Sequence, residues 1–166
     1  MKYKGGKIMS SNAISGMGTK CYRWNIGTGA WDVQSEITSV DGPQKTRATI
    51  EVTALDSEGG YEEVIPGLRK GGTVALSMNF TRGTFNTMNA DFESDVRQNY
   101  CIVFPDPLLT TVEFEGYVVE CPLSTAVGDK VSANVSIMVT GKPIVYDGDS
   151  GGPTIDPTGT DWWVTP

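Results

Sequence analysis

The chain has 166 residues, with 20 acidic against 13 basic side chains and a formal net charge of −7. That length suits one domain that buries its core without disulfide or metal support, and the acidic balance argues against the clustered Lys and Arg of a phosphate-gripping surface. No apolar run of about 18 residues is present, so neither a membrane span nor membrane binding is expected.

The 20 glycines, with Thr and Val recurring throughout, favour many short strands and turns over a helical bundle. The opening MKYKGGKIMSSNAISG is basic but has no apolar stretch, so no secretory leader is expected. Cys21, Cys101 and Cys121 are odd in number and lack CxxC spacing, which predicts reduced thiols packed as small apolar groups. Asn79-Phe80-Thr81 and Asn134-Val135-Ser136 match a glycosylation pattern that carries no weight without a leader.

Residues 1–17 have no hydrophobic period and read as an arm. Tyr22, Trp24 and Ile26 then alternate with Cys21, Arg23 and Asn25, and Trp31, Val33 and Ile37 with Asp32, Gln34 and Glu36. Gly27-Thr28-Gly29 between them predicts a hairpin. Over 47–55, Ala48, Ile50, Val52 and Ala54 form one face and Arg47, Thr49, Glu51 and Thr53 the other. A short strand, Tyr61 to Ile65, is expected to stop at Pro66-Gly67. Gly71-Gly72 opens Thr73 to Thr81, whose core face is Val74, Leu76, Met78 and Phe80.

One helix is expected over about 86–99, with Phe85, Met88, Phe92 and Val96 on its packing face. Strands follow at Tyr100 to Phe104 and at Thr111 to Glu120. In the second, Val112, Phe114 and Val118 lie opposite Glu113, Glu115 and Tyr117. The last strand is Val131 to Thr140, with Val131, Ala133, Val135, Ile137 and Val139 inward. Residues 143–166 hold several prolines and the Trp162-Trp163 pair and read as an extended tail. The division is therefore an arm at 1–17, a β body at 18–142 and a tail at 143–166. The element order predicts a mainly β fold, a β-sandwich or partly closed barrel of packed antiparallel sheets with one flanking α-helix.

Gly148-Asp149-Ser150-Gly151-Gly152-Pro153 spells the signature around the nucleophile of trypsin-like proteases. A serine hydroxyl needs an adjacent base, and the histidine that family uses is missing, because the chain contains none. The match reads as a Gly/Asp/Ser-rich turn, and no catalytic residue is expected. Asp147, Asp149 and Gly152 resemble the start of a calcium loop, but its closing Glu would fall at Thr158. There is no Cys/His cluster for zinc, and Arg69-Lys70-Gly71-Gly72 leads into a strand rather than a phosphate-binding helix. No metal and no cofactor are expected.

From Arg47 to Pro143 the chain resembles the major tail tube proteins of long, non-contractile-tailed phages (the siphovirus type). The resemblance lies in an ordered series. Thr49-Ile50-Glu51-Val52-Thr53 is similar to a family strand in which Asp is common at the position of Glu51. Glu63-Val64-Ile65-Pro66-Gly67-Leu68 is similar to the next turn, and Gly71-Gly72-Thr73-Val74-Ala75-Leu76 to a strand entry. Phe114-Glu115-Gly116-Tyr117-Val118 and Ala133 to Thr140 with Gly141-Lys142-Pro143 complete it.

The resemblance implies a tail-tube-like fold of two packed sheets with a flanking helix, shared with contractile tail tubes and type VI secretion rings. It implies a structural virion protein, not an enzyme, forming homohexameric rings stacked into a conduit for DNA ejection. Its partners would be other copies of itself, the tape-measure, initiator and terminator proteins, and double-stranded DNA passing without sequence-specific binding. It would be made in the host bacterial cytoplasm and reside in the virion tail. Glu51, Glu113 and Glu115 are the candidate lumen-facing acids. Pro66, Gly67, Gly141, Lys142 and Pro143 are the candidate family-motif turns, and residues 1–17, 55–61 and 143–166 are the segments expected to act in assembly. The alternatives are a ring or tube protein of a contractile tail or type VI machine, and a carbohydrate- or receptor-binding β-sandwich using Trp24, Trp31, Trp162 and Trp163.

Overall fold

The computed structural model describes residues 13–55 and 57–148. Ser150, the Trp162-Trp163 pair and most of the expected arm and tail lie outside the described residues.

The strands are β1 (Lys20–Asn25), β2 (Ala30–Gln34), β3 (Ile37–Asp41), β4 (Thr46–Glu51), β5 (Val64–Lys70), β6 (Thr73–Asn79), β7 (Gln98–Val103), β8 (Thr110–Glu120), β9 (Leu123–Ser124) and β10 (Ser132–Asp147), with helix α1 (Arg82–Phe92) between β6 and β7. The fold is mainly β, with two antiparallel sheets and one helix, as expected. The sheets are unequal. Eight strands run in the order β2-β1-β7-β8-β10-β6-β3, with β9 also on β10, while β4 and β5 pair only with each other.

The core follows the strongest alternations. Val74, Leu76 and Met78 of β6 are buried, as are Ala133, Val135, Ile137 and Val139 of β10. Register sets Leu76 opposite Val135 and Val74 opposite Ile137. Tyr100 and Ile102 of β7, Phe114 and Val118 of β8 and Met88 of α1 complete this cluster. Each fully buried side chain of this size is worth about 1.5–3 kcal/mol relative to exposure.

Several expectations are corrected. The helix starts earlier than predicted and ends at Phe92, because the chain must turn before entering β7 at Gln98. Its buried face is Thr84, Met88 and Asp91, at i, i+4 and i+7, whereas Phe92 and Val96 are exposed. Phe80 lies past the end of β6 and is partly exposed, packed on Phe85. Ala48, Ile50, Val52 and Ala54 do not enter the core; all of β4 is exposed.

Pro66-Gly67 does not stop a strand. β5 continues through it to Lys70, with one residue of β4 (Ala48) opposite two of β5 between the Thr49–Pro66 and Arg47–Arg69 pairs. Proline is tolerated there because a two-stranded sheet consists only of edges. β10 likewise continues past Thr140 to Asp147. Thr140 pairs with Glu115 and Ile144 with Glu113, so Gly141-Lys142-Pro143 is a bulge opposite Phe114. Gly141 supplies the positive φ (+74°) that starts it.

Candidate functional site

The most conspicuous surface is the β4–β5 hairpin. Its strands continue past the ladder: Val52 N–H donates to the Glu63 carbonyl at 2.8 Å and Glu63 N–H to Thr53 Oγ1 at 2.9 Å. The tip turns through Glu58–Gly60, with Gly59 and Gly60 both at positive φ. Ile50 faces Ile65 across the ladder, yet they are 53% and 48% exposed, and Val52, Val64 and Leu68 are exposed as well. A lone two-stranded hairpin is marginal in water, and Ile50, Val52 and Ile65, which share one face of it, mark an interaction surface.

The hairpin is seated by close glycine contacts. A Cβ on Gly71 would stand 2.6 Å from Val139 Cγ1, and one on Gly72, at φ +76°, would stand 1.9 Å from the Gln44 carbonyl oxygen. Gly67 approaches Ala48, where a Cβ would lie 3.1 Å from the carbonyl oxygen. Around this base Lys45, Arg47, Arg69, Lys70 and Lys142 line an open groove of about 840 Å³ with no acidic residue among its lining.

The three candidate lumen acids are not equivalent. Glu51 is exposed on β4 opposite Val64. Glu115 on β8 is partly exposed and pairs with Arg97 at 3.1 Å, a surface contact worth about 0–1 kcal/mol. Glu113 is 3% exposed and accepts a hydrogen bond from the Tyr146 hydroxyl at 3.1 Å. A carboxylate enclosed in this way does not offer its charge to a lumen, so Glu113 leaves that set. Burial, then the Glu113 charge, pushes the Tyr146 phenol up. Among the turn candidates, Lys142 is exposed in the groove and Pro143, the last residue of the bulge, is buried at its edge.

Two groupings were missed in sequence. One is the basic groove, whose members are scattered over 45–142 and meet only in the fold. The other is Asp91, which binds Arg23 and Tyr100. Its signal was its spacing, three residues after Met88 on the buried face. Trp24 is buried against Trp31, their ring centroids 5.3 Å apart, so Trp24 offers no open platform for a sugar. Among the described residues no helix is long and apolar enough to cross a membrane, and no group of three or more His, Cys, Asp or Glu could hold a metal ion.

No protein-family model and no curated protein sequence matches the chain. Solved structures do. A chain in the tail of an empty gene transfer agent particle with C6 symmetry aligns at a TM-score of 0.69 with 16% identity, over 81% of this chain and 99% of that one. A chain of the SPP1 tail tube aligns at 0.63 with 13% identity, over 89% of this chain and 93% of that one. The chain has the tail-tube fold. A chain of the PVC sheath-tube complex, an extracellular contractile injection system, aligns equally well, at 0.63 with 14% identity over 89% of this chain and 100% of that one. The fold is thus matched both in tails and in a contractile injection system, and the match spans nearly the whole of each neighbour.

Proposed function

We propose that the chain is the repeating structural subunit of a phage tail tube, forming six-membered rings that stack into a conduit for DNA ejection. The reading rests on the exposed apolar hairpin, carried on a fold whose neighbours come from a tail and a tail tube. Ile50, Val52, Val64, Ile65 and Leu68 need cover, and another copy supplies it through a heterologous contact that closes into rings or continues as a stack. The edge strands β2 and β3 of the large sheet are the further places where copies meet, since edge pairing satisfies open main-chain groups.

In this reading the chain is not an enzyme. It resides in the virion tail, is made in the host bacterial cytoplasm, and works with tape-measure, initiator and terminator proteins. Its net charge of −7 suits a lumen that repels DNA, since a like-charge contact at 4 Å costs about 1 kcal/mol in water. Glu51 and Glu115 are the acids proposed to line it. The siphovirus type is favoured by the Arg47 to Pro143 resemblance.

Negative-stain electron microscopy of concentrated protein tests this. Rings or hollow tubes of uniform diameter are expected, and a particle that stays monomeric at every concentration would refute self-assembly. The likeness to the PVC chain supports a second reading, a tube inside a contractile sheath. Images of the assembled machine separate the two, because only the second carries a sheath around the tube.

A further inference from the structure

The β4–β5 hairpin is electrically polarised along its length. Its base carries Lys45, Arg47, Arg69, Lys70 and Lys142, five of the chain's 13 Lys and Arg, around one groove. Its tip carries Glu58, Glu62 and Glu63, all exposed. At the base, Arg47 stands directly across the ladder from Arg69. Like charges directly opposite on a sheet are destabilising. Among the described residues none of the five cations has an ion-pair partner. Among the described residues this positive charge is left without an ion-pair partner, and an acidic segment of another copy is suited to meet it.

We propose that the groove at the hairpin base is the docking site for the acidic hairpin tip of a second copy of this chain. The inference deepens the tube reading and rests on it: each copy carries both halves of the contact, so docking is head-to-tail and repeats without limit along the stack. The groove lining also includes Gly71, Gly72 and Gly141, which bring backbone within close reach of a turn, beside the exposed Met138. The apolar flanks at Ile50 and Ile65 lie between groove and tip and are covered by the same engagement. Glu58 is eleven residue steps on from Arg47, and an extended chain spans at most about 3.6 Å per residue, so successive copies are offset by no more than about 40 Å along the hairpin.

The test uses three full-length chains: wild type, a base-reversed form (Arg47→Glu, Arg69→Glu and Lys70→Glu), whose groove lining becomes net negative, and a tip-reversed form (Glu58→Lys, Glu62→Lys and Glu63→Lys). Polymerisation is followed by light scattering and electron microscopy. Each reversed form alone should raise the concentration needed for polymers by roughly tenfold or more, since like-charge juxtaposition at an interface costs several kcal/mol. An equimolar mixture should recover polymers, because the positive tip of one form fits the negative groove of the other; recovery also shows that both forms are folded. Raising salt should weaken wild-type assembly. Wild-type tubes accompanied by reversed forms that polymerise equally well, or by a mixture that stays inert, would overturn the docking while leaving the tube reading intact. A wild-type chain that never self-associates would overturn both. Binding of a short DNA duplex to wild type that is lost in the base-reversed form, with no recovery of polymers in the mixture, would make the groove a phosphate site and overturn the proposal.

Discussion

Asp91 of α1 holds Arg23 of β1 in a two-pronged ion pair. Arg23 Nε donates to Oδ2 at 2.6 Å and Nη2 to Oδ1 at 2.5 Å, and the Tyr100 hydroxyl donates to Oδ2 at 2.8 Å. The Asp91 side chain is 3% exposed and that of Arg23 17%, so one enclosed carboxylate ties the helix to two strands. The hydrogen bond to Asp91, outweighing the opposing effect of burial, strengthens the protonated state of Arg23. Asp91→Ala leaves the guanidinium and the phenol enclosed without their acceptor. It should cost about 3–5 kcal/mol, read as a lower urea midpoint at unchanged slope. A loss under about 1 kcal/mol would place the pair with ordinary exposed ones.

The hairpin and the core should respond oppositely to loss of apolar groups. Leu76 is 1% exposed, and Leu76→Ala should cost about 2–5 kcal/mol of subunit stability. Ile50→Ser with Ile65→Ser removes two half-exposed side chains and should change subunit stability by only about 0.5 kcal/mol per site, while weakening self-association. Urea unfolding of dilute protein and sedimentation of concentrated protein measure the two effects. A hairpin double change as costly as Leu76→Ala would mean that those residues pack within the subunit.

Two glycines at nearly the same φ should behave differently. Gly72 (+76°) would drive a Cβ into the Gln44 carbonyl, whereas Gly141 (+74°) faces open space. Gly141→Ala should therefore cost only the left-handed backbone penalty, about 1–2 kcal/mol. Gly72→Ala adds a backbone collision at the hairpin base and should cost distinctly more, with the hairpin displaced. Equal losses in thermal unfolding would remove Gly72 from the account of how the hairpin is seated.

The sequence showed some of this far better than the rest, for physical reasons. β6 and β10 were legible because strict period-two alternation has one outcome when the apolar face meets the subunit's own core. The alternation Ala48, Ile50, Val52 reads identically whether its face is covered from within or by another molecule, so the strand was foreseen and its location was not. Helix α1 was displaced in the reading because the apolar stripe ignored Asp91, a charged residue buried through its hydrogen bonds. Glu113 misled in the same way: its alternation pointed outward, but Tyr146, assigned to a tail, lies on the extension of β10 and covers it. The basic groove left no local trace, since its five cations are joined only by the pairing of β4 with β5 and the bulge in β10.

The thiols and phenols set an alkaline limit. Burial pushes the Cys21 thiol from an ordinary 9.0 up to about 12. It also raises Cys101, with the Glu113 charge adding to the effect, and Tyr100, with Asp91 adding. The folded chain holds these protons more tightly than the unfolded chain. Their contribution is therefore complete below about pH 9 and is lost as pH rises toward about 12. Stability from urea melts should stay level into mildly alkaline pH and then fall. The same burial orders reactivity, because the thiolate is the nucleophile. Cys121, partly exposed, should react first with a thiol reagent, and Cys21 and Cys101, both buried, should react only at the rate of unfolding. Three thiols titrating together in native protein would contradict the packing assigned to β1 and β7.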